Sequence, residues 1–202
     1  MTTPWTFVLA LLSLTTSGAV SAAGNDDPHA HHRAAVASAV KTTSATYILP
    51  RVGMVREDGK RVTFPDEIDD GRAVVLNFIY TTCTAICPIS SSIFQQFQLQ
   101  LGAERAQVHL VSISIDPEQD TPARLREYAK HFAAGPGWNH YTGTADGSLA
   151  IQNAFDVYRG DKMRHDPVTL VRIAPGRPWL RIDGFTTADD LLRRYREQLA
   201  AR

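Results

Sequence analysis

Cysteine is almost missing from this chain: there are two among 202 residues, and both fall in one short segment, at Cys83 and Cys87. A small secreted domain held by a disulfide framework would scatter several pairs along its length, so cross-links are not the scaffold here. Excess charge of either sign is missing too. Lys and Arg total 21 and Asp and Glu total 21, which argues against a general nucleic-acid binder and against a polybasic membrane patch. The apolar N-terminal stretch from Trp5 to Leu14 has about ten residues, short of the roughly twenty that a spanning helix needs. No Lys or Arg occurs before Arg33, which argues against an arginine-rich mitochondrial presequence. No internal repeat is evident.

What is there begins with a leader. The small residues from Ser17 to Ala23 follow the apolar stretch, and cleavage after Ala22 or Ala23 fits the small-x-small rule. Residues 1–23 therefore read as a secretory signal peptide, with an uncleaved anchor as the rival. The protein is expected to be exported, to the bacterial periplasm, and to meet a membrane only through a partner or an uncleaved leader. Residues 24–45 read as a flexible linker, rich in Ala, Ser, Thr, Asp and His without apolar period. Its His29, His31 and His32 read as solvated filler, with metal collection as the alternative.

Residues 46–202 are expected to form one α/β domain. Glu57-Asp58-Gly59-Lys60 between two short apolar segments predicts an N-terminal β-hairpin. The nearly continuous apolar run from Ala73 to Tyr80 predicts a strand covered on both faces. Ile86, Ile89, Ile93, Phe97 and Leu101 then follow at helical spacing, and Val108 to Ile115 predicts a second buried strand, completing a β-α-β unit. Thr121 and Pro122 predict a helix start. A short strand at His140 to Gly143, a helix from Asp146 to Phe155, a hairpin over Val168 to Ile182 and a helix from Thr186 to Ala200 complete the chain. This order predicts a thioredoxin-like fold, a central mixed sheet flanked by helices.

Cys83 and Cys87 fall where the first buried strand gives way to a helix. Ligands in open α/β sheets bind beyond the carboxyl ends of strands. A helix N-terminus also offers free N–H groups and partial positive charge, which favour a thiolate. A spacing of four sets two helical side chains roughly 5–6 Å apart at Cβ, suited to a shared metal or a disulfide. Thioredoxin-type oxidoreductases use two intervening residues, whereas three stand here. A peroxidase pattern of Pro-x-x-x-Thr-x-x-Cys fails because Tyr80 stands three before Cys83.

Two thiolates select soft ions such as Cu(I) or Zn(II) and leave any metal short of donors. Among seven histidines, His165 is best placed, just before the strand starting at Val168. Met163 is a thioether candidate, a packed or exposed methionine being the plainer reading. His109 reads as structural, and His131 and His140 as surface or satisfied core residues. Asp116 reads as a turn former, with a role beside the metal site as the alternative, and Asp120 with Thr121 as helix capping.

Thr82-Cys83-Thr84-Ala85-Ile86-Cys87-Pro88 after Phe78-Ile79-Tyr80 resembles the Sco/SenC family of copper proteins, which assist assembly of the binuclear copper centre of cytochrome c oxidase. Ser114-Ile115-Asp116-Pro117-Glu118-Gln119-Asp120-Thr121-Pro122, Thr142-Gly143 and the segment around His165 resemble further signatures, over roughly residues 47 to 200. The resemblance implies one copper, as Cu(I) or Cu(II), held by Cys83, Cys87 and His165. It also implies delivery to the oxidase copper subunit or another cuproenzyme. Many members carry an acidic residue directly before the histidine, where this chain has Arg164. The alternative function is thiol-disulfide exchange, Cys83 and Cys87 reducing a partner's cysteines and drawing on a thioredoxin-like reductant. Structural zinc is weaker, since it would need four protein ligands.

Overall fold

Two strands, β4 (Ala73–Ile79) and β5 (Val108–Ser114), are buried at all seven of their positions, which is why apolar residues fall on both faces of each, with Asn77, His109, Ser112 and Ser114 as buried polar exceptions. They lie parallel at the centre of an eight-stranded sheet. This is a computed structural model, and it describes Met1 and residues 40–201; the expected leader and the histidines at 29, 31 and 32 lie outside the described residues.

The remaining strands are β1 (Lys41–Ala45), β2 (Val52–Arg56), β3 (Arg61–Phe64), β6 (Trp138–Gly143), β7 (Val168–Arg172) and β8 (Trp179–Asp183). The order across the sheet is β1-β8-β7-β4-β5-β6-β2-β3. β6 is parallel to β5, while the β2–β3 and β7–β8 hairpins and the β4–β7 pair are antiparallel. The helices are α1 (Ile86–Gln100), α2 (Pro122–His131), α3 (Ala145–Ala154) and α4 (Ala188–Ala200). Phe94 and Phe97 of α1 and Leu191 and Tyr195 of α4 pack on one face of the sheet with Val75 and Leu110. Ile151 of α3 and Phe155 pack on the other with Leu76 and Ile113. The mixed sheet between helices and the N-terminal hairpin agree with the expected thioredoxin-like fold. Among the described residues no helix is long and apolar enough to cross a membrane.

Two expectations change. The linker was expected to reach residue 45, yet Lys41–Ala45 forms a strand in register with β8, Lys41 opposite Asp183 and Ala45 opposite Trp179. Lys-Thr-Thr-Ser-Ala carries no apolar alternation to announce it. The pairing satisfies the open backbone edge of β8, a demand that side-chain patterning does not encode.

The buried face of α1 also differs from the apolar stripe. Cys87, Ser91, Phe94, Phe97 and Gln98 are buried, with Leu101 just beyond the helix, whereas Ile89 is 49% exposed. Positions 87, 91, 94, 98 and 101 keep helical spacing as well as the isoleucines do. The polar members are tolerated because each is hydrogen-bonded: Ser91 with the Tyr128 hydroxyl at 2.8 Å, Gln98 to the Ala133 carbonyl at 2.9 Å and from the Gly135 N–H at 2.8 Å.

Candidate metal centre

Three helices start on a threonine that caps them: Thr121 accepts from the Arg124 N–H, Thr144 from Gly147 and Thr187 from Asp190. α1 starts on Ala85 and has no side-chain cap. Its first-turn N–H groups turn instead to sulfur, the Cys87 N–H donating to Cys83 Sγ at 3.3 Å. This local geometry follows from the sequence, which places a thiol two residues before the uncapped Ala85, within reach of the first-turn N–H groups.

Cys83 sits in the turn after β4, its N–H donating to the Tyr80 carbonyl at 3.1 Å. Cys87 lies one turn on, in α1, and Tyr80 donates its N–H to Cys87 Sγ at 3.4 Å. Both cysteines are free and buried. They differ electrostatically. Burial pushes the Cys83 thiol up, but the backbone N–H groups of Cys87 and Ala85, with its side-chain neighbours, outweigh this and leave it below the usual value. Burial dominates at Cys87 and holds its proton on. Burial, with Cys83 beside it, pushes the Tyr80 hydroxyl up to about 12, so it remains a proton donor.

His165 reaches the same place from the far end of the chain. The 3-10 turn Lys162–Arg164 sets it just before β7, and its Nδ1 meets the Lys162 carbonyl at 2.8 Å. That contact assigns the proton to Nδ1 and leaves the Nε2 lone pair facing Cys87 Sγ, 3.5 Å away. The Tyr80 ring packs edge-on against the imidazole with centroids 5.2 Å apart. One ligand atom from each of Cys83, Cys87 and His165 lies within 4.8 Å of the others. It is the one cluster of three such donors among the described residues.

The donor set fits a soft ion. Three-coordinate bonds of about 2.0–2.3 Å set donors about 3.5–4 Å apart, so these side chains need close by no more than about an ångström. The buried dithiol supplies thiolates on losing its protons, and the imidazole is already presented in the ligating tautomer.

The carboxyl end of β5 braces both halves of the centre. Asp120, fully buried, accepts from the Thr81 N–H at 3.1 Å, the Thr81 hydroxyl at 2.5 Å and the Ser114 hydroxyl at 2.6 Å. Asp120 was expected to help cap α2; Thr121 caps it alone, and the Asp120 carboxylate holds the cysteine turn. Asp116 forms the expected turn through its carbonyl, which accepts from the Gln119 and Asp120 N–H groups. Its carboxylate additionally pairs with Lys162 Nζ at 2.6 Å, tying down the His165 turn. This pair holds the Lys162 ammonium above its usual value. A cleft of about 350 Å³, bounded in part by Asp116, Gln152, Tyr158 and Lys162, opens beside His165.

The other histidines stay apart from this cluster. His109 and His140 are core residues and His131 is exposed at the end of α2. Met163 is 70% exposed, at the rim. Asp120, Thr81, Lys162 and Tyr80 were not foreseen as parts of the site. The one available hint was a pair of carboxylates, Asp116 and Asp120, directly after a buried strand.

Two free cysteines and an imidazole thus converge at the carboxyl end of the central strands of a thioredoxin-like domain, a donor set of the class that suits a soft metal ion. The particular lineage follows from comparison: residues 40–191 match the model of the SCO1/SenC family, and the chain belongs to that family. The SCO1 homologue of Bacillus subtilis is 32% identical over 94 residues, 46% of this chain and 48% of that protein. The chain thus spans about half the length of that relative. SenC of Rhodobacter capsulatus is 31% identical over 153 residues, 75% of this chain and 67% of that protein. The crystal structure of Arabidopsis thaliana ScoI with copper bound matches with a TM-score of 0.65 and 25% identity, covering 77% of this chain and 99% of that one.

Proposed function

We propose that this domain is a copper-carrying assembly factor in which Cys83, Cys87 and His165 hold one copper and surrender it to a cuproenzyme. The observation that carries this reading is the convergence of two thiols and a pre-oriented imidazole within 4.8 Å. Sulfur and imidazole donors favour Cu(I) over hard cations, and the Arabidopsis relative binds copper. Three ligands leave the ion open to an incoming donor, so copper can leave by stepwise ligand exchange. The family resemblance points to the binuclear centre of cytochrome c oxidase as acceptor. The leader expected in residues 1–23 would place the exchange outside the cytoplasm, in the periplasm.

A second reading draws on the unlike cysteines. Cys83, the more acidic thiol, would attack a partner disulfide, and Cys87 would displace the mixed disulfide. The partner gains two electrons while Cys83 and Cys87 become oxidised to a disulfide, which a thioredoxin-like reductant would reopen. The two roles are compatible, since the thiols hold copper only when reduced.

The test is copper stoichiometry and affinity of the reduced protein and of its His165→Ala variant. One copper per chain is expected, with affinity lowered at least tenfold or so in the variant. Unchanged retention would refute the ligand assignment. Steady disulfide reduction by metal-free protein that takes up no copper would favour the second reading.

A further inference from the structure

The three donor residues are well hidden: Cys87 is fully buried, and Cys83 and His165 are each 7% exposed. A copper ion arriving from a carrier, or leaving for an acceptor, is never free in solution and passes from donor to donor. A soft donor is therefore needed at the surface, next to the buried set. Of the methionines, Met54 is in the core at 4% exposed, while Met163 lies on the turn that carries His165 and is 70% exposed. A single exposed apolar side chain is ordinary, so the case for Met163 rests on where its sulfur is held.

The sulfur of Met163 is nonetheless held. The Tyr80 hydroxyl donates to its Sδ at 3.3 Å, and the same Tyr80 touches both His165, through its ring, and Cys87, through its N–H. The thioether is thus turned inward, one side chain away from two of the three expected ligands. Charge does not draw a cation to this rim, because Lys162 and Arg164 flank Met163 on both sides. Lys162 is itself paired with Asp116 at 2.6 Å, so the draw has to come from a soft donor, and thioethers prefer Cu(I).

We infer that Met163 is the exchange ligand of this centre, a third sulfur that takes Cu(I) from the donor and relays it to Cys83, Cys87 and His165, and passes it out again. The step is ligand substitution without redox change. The Tyr80 hydroxyl releases Sδ, the Sδ lone pair binds Cu(I) as one carrier ligand leaves, and the cysteine sulfurs, giving up their protons to solvent, and His165 then displace the remaining carrier ligands and the thioether, which returns to Tyr80. This inference rests on the copper-binding reading above and names a residue outside its ligand set.

The experiment uses reduced protein under anaerobic conditions, with Cu(I) supplied as its bicinchoninate complex. In protein labelled at the methionine methyl carbon, the Met163 methyl resonance should shift or broaden during loading while that of Met54 stays still. In stopped flow, Met163→Leu should slow copper uptake roughly tenfold, equivalent to about 1.4 kcal/mol in the barrier, with more effect on rate than on final affinity. Met163 is exposed, so the variant keeps its fold, which circular dichroism checks. Uptake by Met163→Leu at the parent rate, with a motionless methyl signal, would overturn the relay but leave the three-ligand site standing. A parent protein that takes up no Cu(I) would overturn both.

Discussion

Cys83 and Cys87 are separated by one helical turn and behave as different acids. Cys83 Sγ stands in for the missing cap of α1 and collects backbone N–H groups, so its thiolate is favoured despite burial. Cys87 is fully buried and keeps its proton. The pH dependence follows from the sign of each shift. Lowering the Cys83 pKa brings its thiolate in at lower pH than in a free cysteine, while raising the Cys87 pKa delays it. In metal-free reduced protein, alkylation by iodoacetamide should therefore mark Cys83 first, with its rate rising below the pH at which free cysteine responds. Cys87 in a Cys83→Ser variant should react far more slowly at every pH below about 9. Peptide mapping by mass spectrometry reads both rates, and equal labelling would contradict the assigned asymmetry.

At the level of elements, the centre is assembled where β5 ends. The loop after it sends Asp120 to the cysteine turn and Asp116 to the histidine turn, so one segment fixes the spacing between sulfur and nitrogen donors. Asp120→Ala would leave the Thr81 N–H and two hydroxyls without their acceptor. A loss of about 1–3 kcal/mol in urea unfolding is expected, together with faster copper release to a chelator from the loosened Cys83 turn. Stability and release both at parent values would refute the brace. These contacts also mark the limit of sequence reading. The buried strands, the β2–β3 hairpin and the Thr121–Pro122 helix start were legible because apolar runs, Asp58-Gly59 and a capping threonine are local signals. Asp120 was taken for a cap because its partner Thr81 lies 39 positions away, and nothing near it in sequence announces that bond. The stripe on α1 misled because Ser91 and Gln98 hide on the buried side, made tolerable by Tyr128 and Ala133, again distant. β1 was missed since edge pairing is a property of backbone. His165, 78 positions from Cys87, was only the best of seven candidates until the family motifs singled it out.

On the scale of the whole molecule, the sheet carries two histidines in its core whose cost depends on pH. His140 on β6 is fully buried, stacks on Trp138 with centroids 5.3 Å apart, and has no hydrogen-bond partner at either ring nitrogen. His109 on β5 is 1% exposed and meets the Tyr141 hydroxyl at 3.0 Å through Nε2. Burial pulls the pKa of His140 down to about 3; burial, with Arg72 adding to it, pulls that of His109 down to about 4. The unfolded chain takes up these protons near pH 6.5 and the folded chain does not, so folding is fully favoured above 6.5 and weakens as pH falls. Each histidine contributes a slope of about 1.4 kcal/mol per pH unit until its folded value is reached. Carboxylates act lower. Arg56 holds Asp58 at about 2, and arginine hydrogen bonds keep Asp70 and Asp190 below their usual value against the opposing effect of burial, so their stabilisation is lost only below roughly pH 4. The window from about 6.5 to 4.5 therefore isolates the imidazoles. Urea unfolding across it should show a steep loss of stability in the parent and about half that slope in His140→Leu, which keeps the apolar contacts with Trp138 and Tyr128 and removes one proton site. Equal slopes in the two proteins would mean that the buried ring of His140 is not what makes the fold sensitive to acid.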